Sequence, residues 1–290
     1  IEAGSSYEGQ TVRLRCDLDM RGVEYHILRM GQKLFQGTFD GGGHSISNLS
    51  CRYGYSYGGL FGQIGNQGVV KDLLLLNVEA LELSGSFSGG IAGINEGTIR
   101  GCKVTGENLE FASSNTGGIA GSNKGTIENC AVEGSLYFTG DTGQSGGIAG
   151  SNDGRIARSF VSGEIVFQNQ TDSAHCVGGI GGFNRGTMEK CYVSGEINSD
   201  SMVSIGGIAG YSYPESVIRQ CYNLAAIKGN PANDVKTGGI GVYLYGTTSG
   251  CYNYGTILRT KGETQGAIYV YKGTGMVSNC YYLDVSSDKG

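Results

Sequence analysis

Apolar positions recur along the chain in a glycine-bounded phrase, Gly-Gly-Ile-Ala-Gly and its close variants. The second residues of the successive phrases are Gly59, Gly90, Gly118, Gly147, Gly179, Gly207, Gly239 and Ala267. The steps between them are 31, 28, 29, 32, 28, 32 and 28 residues. A nearly fixed period is the signature of a repeat architecture, so the chain is predicted to contain eight similar units.

Within a unit the pattern continues as Asn-x-Gly-Thr-Ile-x-x-Cys-x-Val-x-Gly-x-Ile, seen most fully from Asn184 to Ile197. The units are rich in Ile, Val, Thr and Tyr, which favour strands, and in Gly, at a density that a helix would not tolerate. Propeller blades are longer, about 40 residues or more, and their signatures are missing. We predict an all-β fold, a right-handed parallel β-helix (β-solenoid) of about eight coils with two or three short strands each.

Equivalent positions of successive coils stack ~4.8 Å apart in such a fold, so columns can be taken directly from the repeat. Three columns are predicted to face inward. The isoleucine column is Ile91, Ile119, Ile148, Ile180, Ile208, Ile240 and Ile268. The valine column is Val104, Val132, Val161 and Val193, and the cysteine column is Cys102, Cys130, Ser159, Cys191, Cys221, Cys251 and Cys280.

Two polar columns follow the isoleucine column. Asn95, Asn123, Asn152 and Asn184 each precede a glycine by two residues, which is typical of side chains that bond to turn backbone. The next column alternates in charge, Glu96, Lys124, Asp153 and Arg185. Opposite charges on neighbouring coils predict a solvated edge that helps to set the register.

Composition narrows the function classes. The chain has 54 Gly, 2 Pro and no Trp among 290 residues, with 39% hydrophobic residues, which fits a folded chain rather than a disordered linker. A net charge of −5 with dispersed Lys and Arg provides no basic stripe for nucleic acid. The longest apolar run, near Leu73 to Leu76, is far too short for a membrane span in this fragment.

The nine cysteines form neither a Cys-x-x-Cys motif nor a cluster with the three histidines. Because the repeat itself explains their spacing, buried free thiols that pack as small hydrophobes are favoured. One or two disulfides remain the alternative. No metal site and no cofactor are predicted.

The repeat phrase resembles the GLUG motif of bacterial surface adhesins and of the non-catalytic region of secreted IgA-protease-type metallopeptidases. The lead-in from Phe35 to Leu49, with Thr11 to Asp19 before it, looks like the segment that commonly precedes these repeats. The resemblance implies a β-helix on a large exported protein, and therefore an extracellular or cell-surface location. The His-Glu-x-x-His helix of the peptidases is absent from this sequence, so no protease activity is expected of it.

We expect residues 1–57 to form an N-terminal cap with the first coil or coils, and residues 58–290 to form eight GLUG-like repeats of one continuous domain. The chain is expected to be a monomer.

Parallel β-helices host enzymes that cleave polysaccharides with carboxylates lined up along one face. Glu164 and Glu196 occupy equivalent positions on successive coils, with Glu107 two coils before Glu164. Such a pair can share a proton or act in glycoside hydrolysis. The column lapses afterwards, and solvated surface carboxylates are the preferred interpretation, so no catalytic residue is assigned.

Two aromatic stripes are predicted on the outer face of the later coils, because residues that flank inward positions point outward. The first stripe is Phe160, Tyr192, Tyr222, Tyr252 and Tyr281, and the second is Phe183, Tyr211, Tyr243 and Tyr271. Stacked aromatics can simply stabilise a sheet. They can equally form a platform for sugar rings or a protein partner.

The sequence therefore favours a non-enzymatic surface module of an adhesin-like protein, whose stripes bind a host surface protein or a glycan. A polysaccharide lyase or hydrolase and a purely structural spacer are the alternatives.

Overall fold

The computed structural model describes residues 5–23, 34–51, 57–81, 86–140, 143–168, 175–199, 203–229, 236–258 and 265–283, and these ranges contain strands and turns but no helix. In chain order the strands are β1 (Thr11–Arg13), β2 (Leu18–Asp19), β3 (Thr38–Asp40), β4 (Ser45–Ser47), β5 (Ser50–Cys51), β6 (Tyr57–Gly58), β7 (Phe61–Ile64), β8 (Val69–Lys71), β9 (Leu74–Leu76), β10 (Glu79–Leu81), β11 (Phe87–Gly89), β12 (Ala92–Asn95), β13 (Thr98–Arg100), β14 (Lys103–Phe111), β15 (Asn115–Gly117), β16 (Ala120–Asn123), β17 (Thr126–Glu128), β18 (Ala131–Phe138), β19 (Gln144–Gly146), β20 (Ala149–Asn152), β21 (Arg155–Ala157), β22 (Phe160–Phe167), β23 (Cys176–Gly178), β24 (Gly181–Asn184), β25 (Thr187–Glu189), β26 (Tyr192–Ser199), β27 (Ser204–Gly206), β28 (Ala209–Ser212), β29 (Val217–Arg219), β30 (Tyr222–Asn223), β31 (Ala226–Lys228), β32 (Thr237–Gly238), β33 (Gly241–Leu244), β34 (Thr247–Ser249), β35 (Tyr252–Asn253), β36 (Ile257–Leu258), β37 (Gln265–Gly266), β38 (Tyr269–Lys272), β39 (Val277–Ser278) and β40 (Tyr281–Tyr282).

The strands form four parallel sheets that run along one solenoid. Sheet A holds β1, β3, β8, β13, β17, β21, β25, β29, β34 and β39; sheet B holds β2, β4, β9, β14, β18, β22, β26, β30, β35 and β40, with β5, β10, β31 and β36 attached. Sheet C holds β7, β12, β16, β20, β24, β28, β33 and β38, and sheet D holds β6, β11, β15, β19, β23, β27, β32 and β37. From β6 onward each coil visits sheets D, C, A and B in turn. The predicted parallel β-helix of about eight coils is confirmed.

The N-terminal strands extend two of the four sheets. Thr11 to Arg13 pair in register with Thr38 to Asp40 in sheet A, and Leu18 pairs with Ile46 in sheet B. The lead-in segment therefore stacks on the repeats through the same parallel ladders. The division expected at residue 57 stays a prediction.

A typical coil has four strands, not the two or three expected from the sequence. The Gly-Gly-Ile phrase forms a corner between two strands, since β11 ends at Gly89 and β12 begins at Ala92. Close approach of neighbouring coils requires glycine here, because a Cβ on Gly118 would lie 2.5 Å from the carbonyl oxygen of Gly147. The corner divides each apolar run between sheets D and C.

A second corner lies between sheets A and B and uses the left-handed backbone region. From β8 onward, the residues with φ of about 47° to 62° at this corner are Asp72, Gly101, Asn129, Arg158, Lys190, Gln220, Gly250 and Asn279. Non-glycine residues rarely adopt this conformation, so the packed strands on either side must impose it.

The three predicted inward columns form the core. All their members are buried except Ile268 and Cys280, which are partly buried in the last described coil. Phe111, Phe138 and Phe167 add a buried aromatic column in sheet B, with successive ring centroids 5.5 and 5.2 Å apart. Each apolar side chain thus packs against its own counterparts above and below.

The eight cysteines whose side chains the structure describes are free thiols, and most of them are buried. The sulfurs of the cysteine column contact backbone carbonyls of sheet A, as in the 3.3 Å contact from Cys191 Sγ to the carbonyl oxygen of Glu189. Outside the cysteine column, burial raises the pKa of Cys176 to about 12. These positions behave as small hydrophobes, as the repeat spacing indicated.

The asparagine column makes the predicted contacts to turn backbone and also forms a ladder that the sequence did not predict. Its four side chains are fully buried and bond chiefly to one another, with Nδ2 of each residue donating to Oδ1 of the next over 2.7–2.8 Å. Contacts to turn carbonyls are longer, such as 3.4 Å from Asn95 Nδ2 to the oxygen of Gly97. A shorter second ladder joins Asn223 to Asn253. Buried amides are thereby satisfied inside the solenoid.

Replacing Asn123 with alanine removes a central rung of this ladder. The Asn95 amide then loses its acceptor and the Asn152 carbonyl loses its donor, so we expect a destabilisation of about 1–3 kcal/mol. The lowered urea midpoint, followed by circular dichroism, measures it. Lys124→Ala, one residue away on the exposed side, should change stability by no more than about 0.5 kcal/mol. Equal midpoints for the two variants would contradict the ladder's contribution.

Candidate functional site

The first aromatic stripe lies on the outer face of sheet B, where its rings stack in two groups. The centroids of Phe160 and Tyr192 are 4.8 Å apart and those of Tyr192 and Tyr222 are 5.1 Å apart, with planes within 4° of parallel. Tyr252 and Tyr281 form a second stacked pair, with centroids 5.4 Å apart. Much of each ring face is therefore covered by its neighbour, and the outer edges and hydroxyls face the solvent.

A second outward column on sheet B was missed in the sequence. Leu224, Tyr254 and Leu283 lie two residues after the stripe positions, on consecutive coils, and are 44%, 51% and 41% exposed. Tyr252 and Tyr281 beside them are 39% and 55% exposed. We call these five residues the sheet B apolar patch.

The patch is confined to the last three described coils. In the coils of β14 and β18 the same two columns hold polar or small residues, such as Lys103 with Thr105, and Glu133 on the next coil. Phe160 and Tyr192, in the coils that follow, are half-buried. Contiguous exposed apolar surface of this kind marks interaction sites more often than isolated exposed residues do.

The second aromatic stripe lies on the outer face of sheet C. Phe183 and Tyr211 have centroids 5.6 Å apart, Tyr211 and Tyr243 are 5.5 Å apart, and Tyr243 and Tyr271 are 4.9 Å apart. The first three side chains are half-buried, whereas Tyr271 is exposed. The structure thus brings the predicted residues of each stripe together, but on two different faces.

Tyr213 and Tyr245 join the sheet C stripe and were not predicted. They continue the column of Glu96, Lys124, Asp153 and Arg185, and their rings lie 4.7 and 5.2 Å from that of Tyr211. The signal was present in the sequence, because the alternating charges of this column give way to tyrosine after Arg185.

Two cations lie against these rings. The guanidinium carbon of Arg185 is 4.0 Å from the centroid of Tyr213, and Lys236 Nζ is 5.8 Å from that of Tyr271. Both distances are within the range of cation–π contacts. We call the six rings of Phe183, Tyr211, Tyr213, Tyr243, Tyr245 and Tyr271, with Arg185 and Lys236, the sheet C cluster.

Two phenols of the stripes, Tyr192 and Tyr211, hold their protons more tightly than a free tyrosine does. Burial, followed by the charges of neighbouring groups, raises the pKa of Tyr192 and of Tyr211 above its ordinary value. Each hydroxyl therefore keeps its proton and can both donate and accept a hydrogen bond.

Glu164 and Glu196 are in register on sheet B, as predicted, and both accept hydrogen bonds from one amide. Asn198 Nδ2 donates to Glu164 Oε1 at 2.8 Å and to Glu196 Oε2 at 3.2 Å, and Lys228 Nζ lies 2.7 Å from Glu196 Oε1. The hydrogen bond from Lys228 lowers the pKa of Glu196. A general acid needs a raised pKa, so this arrangement favours a structural pair.

The alternating column pairs as expected on the exposed edge. Lys124 lies 3.5 Å from Glu96, and Arg185 lies 3.5 Å from Asp153. Such exposed pairs contribute at most about 1 kcal/mol each.

An open cavity of about 690 Å³ lies beside the lead-in segment. It is lined by Arg13, Leu14, Arg15, Asp40, Gly42, Gly43, His44, Lys71 and Asp72. The buried Asp40 carboxylate accepts hydrogen bonds from Arg13, from Lys71 Nζ at 2.9 Å and from the Gly42 N–H at 2.9 Å. Asp40 thus joins three neighbouring strands and orders the glycine turn, which is a structural role.

In the described part of the chain, no group of three or more His, Cys, Asp or Glu side chains could hold a metal ion. Those residues also contain no helix that is both long and apolar enough to cross a membrane.

Parts of the repeat region are similar to known proteins. The family described as "The GLUG motif" matches residues 173–198, which cover β23 to most of β26. The chain is a β-helix that carries a GLUG motif at these residues. A 73-residue part of it is 41% identical to Halomucin of Haloquadratum walsbyi (strain DSM 16790 / HBSQ001), over 25% of this chain and 1% of Halomucin.

The solenoid also shares its fold with part of a solved structure named IgA1 Protease. The superposition has a TM-score of 0.61 at 19% identity, over 94% of this chain and 20% of that chain. At this identity the likeness concerns the fold. The chain spans only a small part of each of these two proteins.

The Asp40 cluster predicts an acid-sensitive contribution to stability. The hydrogen bonds from Lys71 and then Arg13 lower the pKa of Asp40 to about 2. Because the pKa is about 4 in the unfolded chain, the stabilisation is present above pH 4 and is lost as the pH falls towards 2. Urea midpoints at several pH values should therefore decline more steeply for the native protein than for Asp40→Asn.

At pH 7 the Asp40→Asn variant should be the less stable of the two. Asp153→Asn serves as the control, since its single ion pair is solvent-exposed. Parallel pH curves for the native protein and Asp40→Asn would show that Asp40 does not stabilise the fold through its charge.

Proposed function

We propose that the chain is a non-enzymatic module of an extracellular or cell-surface, adhesin-like protein, and that its last coils present a binding face to a host surface protein or a glycan. The sheet B apolar patch carries this proposal. Exposed Tyr and Leu side chains on three consecutive coils form a continuous surface of the kind that buries well against a partner. The GLUG repeat and the β-helical fold support an exported scaffold.

Rigidity supports the same function. The core columns are nearly uniform from coil to coil. Ladders of backbone hydrogen bonds along every sheet also hold the outer face in place. Little conformational entropy is lost when a partner binds such a preorganised surface. The half-buried, stacked rings of Phe160, Tyr192 and Tyr222 support the patch rather than offering free ring faces.

Replacing Tyr252, Tyr254 and Tyr281 with serine tests the binding face. Fluorescently labelled protein is applied to a glycan array and to fixed mammalian cells. We expect the native solenoid to bind at least one of these surfaces and the triple variant to bind about tenfold more weakly or worse, since hot-spot aromatics carry most of the energy of an interface.

The matched control replaces Lys103, Thr105 and Glu133 with serine, in the same two columns of earlier coils. It should bind like the native protein, and circular dichroism should show that all variants are folded. Equal binding by the triple variant would contradict the face, and no binding by the native protein on either surface would favour the spacer function.

The non-enzymatic part of the proposal predicts that the protein cleaves no polysaccharide. Incubation with neutral and acidic polysaccharides should produce neither new reducing ends nor the ultraviolet absorbance of unsaturated uronates, because Glu164 and Glu196 are bound to Asn198 and the pKa of Glu196 is lowered by Lys228. Cleavage that disappears in the Glu164→Gln, Glu196→Gln variant would overturn this prediction.

A further inference from the structure

The sheet C cluster differs chemically from the sheet B apolar patch. It combines five tyrosine hydroxyls with two cations on one face of coils five to eight, whereas the patch has no charged member. In a chain with a net charge of −5, a local positive pair beside phenols gives this face a distinct preference for anions.

Both cations retain free hydrogen-bonding capacity. Among the described residues, the Arg185 guanidinium lies over the Tyr213 ring and donates one hydrogen bond of 3.5 Å to Asp153, so most of its five N–H donors remain available. Lys236 contacts the Tyr243 hydroxyl and the Tyr271 ring, and its ammonium group has three donors. A guanidinium held on an aromatic ring is preorganised for a carboxylate.

The spacing of these groups matches an extended polymer. Arg185 follows β24 in coil five, and Lys236 precedes β32 in coil seven, so they are two coil steps apart, or about 10 Å along the axis. Extended pyranose chains advance by a step comparable to one coil for each sugar. Carboxylates on alternate sugars would therefore meet the two cations, while the tyrosine hydroxyls bond to the sugar hydroxyls between them.

We propose that the sheet C cluster binds a linear polysaccharide of uronic acid residues lying along the solenoid axis. Arg185 and Lys236 pair with its carboxylates, and Tyr213 and Tyr245 provide hydroxyls and ring edges to the sugars. The inference rests on the proposed function in one respect, that the module binds ligands through its outer aromatic faces, and it names the ligand class of the second face.

Binding of the full chain to immobilised polygalacturonate tests the proposal. We expect saturable binding that weakens as salt is added, because the ion pairs are exposed to solvent. The Arg185→Gln, Lys236→Gln variant should bind about tenfold more weakly. Tyr213→Phe with Tyr245→Phe keeps the rings, removes two hydroxyls and should weaken binding by about three- to tenfold.

Lys103→Gln with Lys124→Gln is the matched control, since Lys124 occupies the column of Arg185 and also pairs with a carboxylate. It removes the same charge and should bind polygalacturonate like the native protein. The sheet B triple variant should also retain this binding, so that the two faces fail independently.

Three competing ligands discriminate the chemistry. Carboxyl-reduced polygalacturonate, which is neutral, should compete at least about tenfold more weakly, since it lacks the charges. Dextran sulfate and polyglutamate should compete more weakly than polygalacturonate, because neither offers carboxylates on a sugar chain. Equal competition by any of the three, or no polygalacturonate binding at all, would overturn the proposal while leaving the sheet B face to its own test.

Discussion

The in-register stacking of successive coils is the constraint on which the rest of this structure depends. Parallel ladders place each residue about 4.8 Å from its counterpart in the next coil, so a side chain's principal neighbour is the residue at the same repeat position. The residues of one column must therefore pack against or hydrogen-bond to one another. Glycine at the corner, isoleucine in the core and asparagine beneath the turn each meet this condition through a different interaction.

The asparagine ladder shows how one column becomes a cooperative unit. Each amide donates to the next coil and accepts from the previous one, so internal members are satisfied from both sides. The ladder ends where the column changes to Ile64 on one side and Ser212 on the other. Asn95 Oδ1 and Asn184 Nδ2 accordingly have no protein partner at the two ends. Truncating such a ladder in the middle creates two new ends, which costs more than the loss of one bond.

The outer columns obey the same geometry with fewer restrictions. On sheet B the exposed residues change from charged or small in the early coils to tyrosine and leucine in the last ones, while the inward columns stay nearly constant. The inward columns therefore provide most of the stability, whereas the outward columns determine the chemical character of each face. Two faces of one rigid rod can carry different ligand preferences, an apolar patch on sheet B and a cationic tyrosine cluster on sheet C, without changing the core.

The repeat period and the identities of the columns were determined by the sequence alone. Because vertical neighbours share a repeat position, the isoleucine, valine, cysteine and aromatic columns could be assigned without coordinates, and the fold class followed. Tyr213, Tyr245 and Leu224 were also within reach of the same reasoning, had each column been followed to its end.

Only the tertiary structure decided which columns share a face and which way each corner turns. The two aromatic stripes lie on separate sheets because the chain turns between them at the corners on either side of sheet A. One of these corners uses a left-handed residue at positions as different as Asn129, Arg158 and Gln220, so no residue type marks it. The contact of Lys236 with Tyr271, residues 35 positions apart, likewise depends on the coil closing on itself. The repeat period determines which residues stack above and below a given residue. The turns at the corners determine which residues lie beside it.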